Sequence, residues 1–213
     1  MRAVVFANGS LTRPVEPVRS SDLVIAADGG ARHCRELGIV PQVIIGDLDS
    51  VSAADLAELE AAGSQVIRYP VRKDYTDLEL ALRYALEQKV DEVLVLAALG
   101  ARWDQTLANL LLPAAKELSP VRISLIDGQQ EMLWARGAGQ LELRGSPGDT
   151  VSLIPLGGDA VGITTAGLEY PLYTETLFFG STRGISNILL GEAASVSLES
   201  GLLLCVIIHN HQE

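Results

Sequence analysis

Up to about residue 127, the chain alternates short runs of Val, Ile and Leu with longer stretches in which apolar residues recur every three or four positions. The short runs are Val4 to Ala7, Leu23 to Ala27, Val43 to Ile45, Val66 to Tyr69, Val93 to Ala97 and Val121 to Ile126. A strand buried on both faces reads as a continuous apolar run, whereas a helix packed over it shows a single apolar stripe. Leu78, Ala81, Leu82 and Leu86 form one such stripe; Leu107, Leu110, Leu111, Ala114 and Leu118 form a second. The alternation predicts an α/β domain with a mainly parallel sheet and flanking helices. Two helix starts are also marked. Ser52 stands three residues before Asp55 and Thr76 three before Glu79, the spacing at which a hydroxyl caps a first turn.

From about residue 129 the pattern changes. Turn signals such as Gly137-Ala138-Gly139, Ser146-Pro147-Gly148-Asp149 and Gly157-Gly158-Asp159 fall at short intervals between runs such as Thr150 to Ile154 and Leu202 to Ile208. Nothing there keeps a helical period over a convincing length. Many short strands with regular turns predict an all-β sandwich or barrel, so the expected division is an α/β domain over 1–127 and a β domain over 128–213.

Composition narrows the function. With 213 residues, 48% of them hydrophobic and 20% charged, the chain has the apolar content of one or two folded domains rather than of a disordered segment. Sixteen basic residues against 27 acidic ones leave a net charge of −11, which argues against nucleic acid as a partner. A phosphate ligand on so acidic a chain calls for a metal ion. Cys34 and Cys205 are too few and too far apart for a disulfide framework or a zinc site, which fits a reducing cytoplasm. The apolar run after Met1 is too short for a secretory signal, and no segment approaches the roughly 20 apolar residues of a membrane span.

The candidate chemistry lies where predicted strands end. Asp28 follows Ala27, and Asp47 and Asp49 follow Ile45; in an open α/β sheet the carboxyl ends of the strands form the ligand crevice. If the Asp47 stretch stays extended, period-two alternation points both carboxylates the same way, an arrangement suited to Mg²⁺. A solvated turn with an Asp cap fits the same pattern. Lys73-Asp74-Tyr75-Thr76-Asp77-Leu78-Glu79 opens a helix at the same rim, where Asp77 and Glu79 are equally explained by the helix dipole and Asp74 lies outside it. Arg102 is placed to fork onto a phosphate or hold a carboxylate, and Asp104 to cap the helix bearing Leu107. Neither a P-loop nor a GxGxxG motif is present. His33, His209 and His211 make no metal pattern, and His33 is expected on a helix surface.

Five blocks in order resemble the thiamine pyrophosphokinase family: Asp28-Gly29-Gly30, Gly46-Asp47-Leu48-Asp49-Ser50, Lys73-Asp74 to Glu79, Gly100-Ala101-Arg102-Trp103-Asp104 to Asn109, and Gly180-Ser181-Thr182-Arg183-Gly184-Ile185-Ser186-Asn187. The resemblance implies an N-terminal α/β domain, a C-terminal β-sandwich and a homodimer with thiamine near the subunit interface. It implies transfer of pyrophosphate from ATP to thiamine, with Mg²⁺ as cofactor and AMP as leaving group. Family metal ligands and catalytic carboxylates fall on Asp47, Asp49, Asp74 and Asp77, nucleotide contacts on Asp28, Arg102 and Asp104, and thiamine contacts on Ser186 and Asn187. The chain departs from the commonest bacterial pattern at Ala101, Gln105 and Ile188. Asp74, if free of metal, is the expected acceptor of the thiamine hydroxyl proton. Two alternatives stay open: a pyrophosphokinase acting on another hydroxymethyl heterocycle such as a pterin, and a non-catalytic nucleotide-binding regulator. The polar, glycine-rich stretch before Ser186 reads as a ligand-facing surface loop or as a plain hairpin turn.

Overall fold

All six apolar runs of the N-terminal half form strands in the computed structural model, which describes residues 1–12 and 18–210. They are β1 (Arg2–Phe6), β2 (Leu23–Ala27), β3 (Val43–Gly46), β4 (Gln65–Arg68), β5 (Glu92–Leu96) and β6 (Arg122–Asp127). Neighbouring strands run parallel in the order β6-β5-β1-β2-β3-β4. Helices α1 (Gly30–Glu36), α2 (Ala53–Ala61), α3 (Asp77–Glu87) and α4 (Trp103–Leu111) fill the connections after β2, β3, β4 and β5. Burial on both faces explains the composition of the central strands, where Val4, Phe6, Ile25, Ile44 and Val95 have no exposed surface. Arg2, also buried, is tolerated because Asp22 accepts from its Nε at 3.0 Å and its Nη2 at 2.6 Å.

Both predicted caps are present: Ser52 Oγ accepts from the Asp55 N–H at 3.1 Å, and Thr76 Oγ1 from the Glu79 N–H at 3.2 Å. The second predicted stripe requires correction. Helix α4 stops at Leu111, and the chain continues through two 3-10 turns, Leu112–Ala114 and Lys116–Leu118. Pro113 has no N–H to give to a longer helix and its ring crowds the preceding turn. Leu107 and Leu111 are 58% and 43% exposed, while Thr106 and Asn109 face inward. They do so because α4 packs on loop backbone: Asn109 Nδ2 donates to Ala98 O at 2.6 Å, and Thr106 Oγ1 accepts from the Gly100 N–H at 3.1 Å. His33 is likewise not on a helix surface. It is buried, with Nε2 2.9 Å from Gly9 O.

By contact density the chain divides into Met1–Gly128 and Gln129–Glu213. The second unit contains β7 (Gln130–Arg136), β8 (Gly139–Arg144), β9 (Thr150–Pro155), β10 (Ala160–Ala166), β11 (Glu175–Leu177), β12 (Asn187–Ile188), β13 (Ala193–Leu198) and β14 (Leu202–Ile208), with no helix among its described residues. Within it, β12-β9-β14-β7 and β11-β10-β13-β8 form two antiparallel sets. Leu133, Val151, Ile163, Val196, Leu203 and Ile207 from both sets build one core. Cys205 lies in that core and Cys34 in the core of the first unit, unpaired, each thiol pushed up to about 12 by burial. Among the described residues no helix is long and apolar enough to cross a membrane.

One buried polar corner ties the end of β14 to the turn before β9. Asp149 accepts from the Ser146 N–H at 2.8 Å and the Asn210 N–H at 2.9 Å, and lies 3.0 Å from His209 Nδ1. Burial works to raise the Asp149 pKa, but these partners outweigh it and the pKa is lowered. His209 is raised, first by Glu131 and, against burial, by Asp149. Of the histidines, His211 lies outside the described residues. The Asp149 contribution is present above its ordinary 3.8 and lost as pH falls through its lowered value; the His209 contribution is present below 6.5 and lost as pH rises through its raised value. Thermal unfolding should therefore show a stability plateau between these limits and a decline as pH rises from 6.5 through the raised His209 value. His209→Gln should flatten that alkaline decline, and an unchanged slope would show that the pair contributes nothing to it.

Candidate active site

The strand order reverses between β1 and β5, and at such a switch the connections leave in opposite directions and open a crevice at the carboxyl edge. Residues leaving β1 (Asn8 to Ser10), β2 (Asp28) and β5 (Ala98 to Arg102) line a cleft of about 520 Å³ there. Lys73, Thr76 and Asp77, at the start of α3, close another side. Beside it, one carboxylate oxygen each of Asp28, Asp47 and Asp49 lies within 4.8 Å of the other two.

The backbone brings these acids together by a route that alternation does not describe. β3 ends at Gly46, and Leu48 has φ of 63°, so the Asp47 stretch turns instead of remaining extended. The turn drives the Leu48 side chain into the core and leaves Asp47 and Asp49 outside it. Asp28 has φ of 47° and Ala97 φ of 55°, so three strand ends at this edge carry left-handed, non-glycine residues. Such residues cost about 1–3 kcal/mol each and persist where their surroundings hold them. Gly46, at φ of 150°, leaves the room the acids need: a Cβ there would stand 2.9 Å from Asp77 Oδ1 and 3.1 Å from the Asp28 Cβ.

One cation sits among these acids. Lys73 Nζ donates to Asp47 Oδ2 at 2.9 Å and forms an ion pair with Asp77 Oδ1 at 3.0 Å. Burial disfavours its ammonium, yet the two carboxylates outweigh burial and raise the Lys73 pKa. The Lys73 hydrogen bond holds Asp47 below the usual carboxylate range. Asp77 moves the other way because burial dominates there.

The family model described as "Thiamin pyrophosphokinase, catalytic domain" matches residues 16–123, and "Thiamin pyrophosphokinase, vitamin B1 binding domain" matches residues 140–203. Thiamine pyrophosphokinase of Bacillus subtilis is 31% identical over 185 residues, 86% of each chain. The chain belongs to the thiamine pyrophosphokinase family. Thiamine pyrophosphokinase 1 of Arabidopsis thaliana is 29% identical over 97% of this chain and 86% of its own. The crystal structure of the Bacillus subtilis enzyme superposes with a TM-score of 0.87 at 28% identity, covering 99% of this chain and 100% of that one.

For a member of this family, the expected site residues separate into distinct groups. Asp28, Asp47 and Asp49 converge, and Asp77 joins them through Lys73. Asp74 lies exposed in the loop before α3 and is not part of the three-carboxylate group. Arg102 lines the cleft and pairs with Asp104 at 2.5 Å. Asp104 does not cap α4; Arg102 holds the cap position and makes no side-chain cap, so Asp104 falls in the first turn. In the second unit, Ser186 has φ of 61° and its N–H donates to Ser152 Oγ at 3.1 Å. The Asn187 amide is engaged locally: Nδ2 donates to Tyr170 O at 2.7 Å, while Oδ1 accepts from the Tyr170 N–H at 3.0 Å and the Ile188 N–H at 2.8 Å. Lys73, Asn8 and Ser50 make contacts that residue spacing does not reveal; the signal available for Asn8 was its place directly after the apolar run Val4 to Ala7.

Lys73→Met leaves Asp47 and Asp77 facing each other without a counter-charge. The expected loss is roughly 1–3 kcal/mol in urea unfolding, below the full cost of breaking a fully buried pair because solvent reaches this one. Adding Asp77→Asn should recover part of the loss. Equal stability of wild type and both variants would show that solvent already screens these charges.

Proposed function

We propose that the chain transfers the pyrophosphoryl group of ATP to the hydroxyl of thiamine, releasing thiamine diphosphate and AMP. The observation that carries this reading is the convergence of Asp28, Asp47 and Asp49 beside a cleft at the switch point of the sheet, in a member of the thiamine pyrophosphokinase family. The donor set fits Mg²⁺, since all three residues offer hard carboxylate oxygens at short mutual distances. Asp28, Asp47 and Asp49 would hold the ion, with Asp77 joined to them through Lys73. When bound, Mg²⁺ supplies positive charge against the ATP phosphates.

The remaining work is positioning, which is most of what phosphoryl-type transfer asks of a protein. The N–H groups of the first α3 turn left unbonded by the Thr76 cap would meet phosphate oxygens, and the Arg102 guanidinium would offer its fork to them by exchanging its Asp104 partner. Asp74, unburdened by the carboxylate group, accepts the thiamine hydroxyl proton. The acidic edge also favours the thiazolium cation. Residues 1–127 serve as the nucleotide- and metal-binding domain. Residues 128–213 serve as a β-sandwich that recognises thiamine and forms the homodimer, with Ser186 and Asn187 at the recognition loop. The thiamine names of the relatives favour this substrate over a pterin. A cytoplasmic location fits ATP as donor.

Incubation with ATP, Mg²⁺ and thiamine should yield AMP and thiamine diphosphate in equal amounts; ADP as product would overturn the reading. Asp47→Asn and Asp49→Asn keep shape while removing charge, so each should lower turnover by about 100-fold or more with little change in melting temperature. Near-normal rates at limiting Mg²⁺ in both variants would move the metal elsewhere. Asn187→Ala should raise the thiamine KM while leaving the ATP KM unchanged. Because the amide holds the Tyr170 backbone, this effect reports a shaped loop; equal thiamine KM values would remove the loop from the site.

A further inference from the structure

Two neutral side chains stitch the carboxylate group together from different strands. Asn8 leaves β1 at the carboxyl edge, and its Nδ2 lies 3.2 Å from both Asp28 Oδ2 and Ser50 Oγ. Ser50, directly after Asp49, places its Oγ 3.1 Å from Asp49 Oδ1 and its N–H 3.4 Å from Asp28 Oδ1. The direction of this relay is set by chemistry. An ionised carboxylate only accepts, so the Ser50 hydroxyl donates to Asp49 and its lone pairs face Asn8; the Asn8 group facing Asp28 must be the NH₂. Asn8 thus donates to one metal-side acid directly and to a second through Ser50.

Asn8 is itself held on three sides. The Ala7 N–H donates to Leu96 O at 2.9 Å, the Gly9 N–H to Ala97 O at 2.7 Å, and His33 Nε2–H to Gly9 O at 2.9 Å. Gly29 admits the side chain by having none of its own, because a Cβ there would fall 2.1 Å from Asn8 Oδ1. The parallel sheet therefore reaches the acids through β1 as well as through β2 and β3, which carry them.

We propose that Asn8 and Ser50 are positioning residues that set the separation of Asp28 and Asp49 and so tune divalent-cation affinity, an inference that rests on the Mg²⁺ reading of that group. Mg²⁺ demands near-ideal geometry, so loosening two of its carboxylates weakens binding without removing a ligand. Groups that orient metal ligands in this way are typically worth about 10–100-fold in affinity.

The test is titration of Mn²⁺, read by its EPR signal, into the nucleotide-free full chain. Asn8→Ala and Ser50→Ala should each weaken Mn²⁺ about 10–100-fold, and Ser50→Thr, which keeps the hydroxyl on an exposed position, should bind like wild type. In turnover, both alanine variants should need more Mg²⁺ for half-maximal rate. If Asp28→Asn and Asp49→Asn abolish Mn²⁺ binding while Asn8→Ala and Ser50→Ala bind normally, the positioning role is overturned and the metal reading stands. If the two Asp variants still bind Mn²⁺ normally, the metal reading fails and the proposal falls with it. Should Asn8→Ala not fold, Ser50→Ala against Ser50→Thr decides alone: equal affinities overturn the role, and loss with rescue supports it.

Discussion

Carboxylates gathered at one sheet edge repel one another, and the Lys73 ammonium between Asp47 and Asp77 is what holds this edge together. Burial already favours the protonated form at Asp77. The ammonium keeps Asp47 ionised, and Asp28 and Asp49 lie beyond its direct contacts. The result is a group of acidic side chains gathered beside a cleft.

The scaffold makes this possible by putting its strain where the acids are. Central strands without exposed surface form a stiff platform, and left-handed residues at Asp28, Leu48 and Ala97 occur within two residues of the ends of three of them. Each bend turns the chain sharply at the edge, so side chains from separate strands meet over short distances. The inward polar face of α4 belongs to the same economy of space. Thr106 and Asn109 satisfy loop backbone that would otherwise be buried without partners, which shapes the cleft floor and leaves Leu107 and Leu111 outside.

The second unit rests on different physics. Its two antiparallel sets share one apolar core, and the polar residues that matter most are those fastening its turns: Asp149 with Ser146, His209 and Asn210, and Asn187 with Tyr170. Ser186 and Asn187 are therefore held by backbone geometry on the loop for which a recognition role is proposed.

Local spacing determined the six parallel strands, the α3 stripe and the two hydroxyl caps, because each depends on residues within a few positions of one another. The five short blocks determined the family in the same local way. Spacing misled where a distant partner set the outcome. Leu107 and Leu111 repeat like core residues, but α4 meets polar backbone; His33 reads as surface, but α1 packs it beneath Gly9. Asp47 and Asp49 were legible as a pair, yet their convergence comes from the left-handed turn at Leu48 and not from strand alternation. Asp28 joining them, Lys73 bridging to Asp77, and Asn8 reaching Ser50 over 42 positions were decided only by tertiary structure. Such contacts depend on which strands become neighbours and where each one bends, and neither is written in the spacing of any single segment.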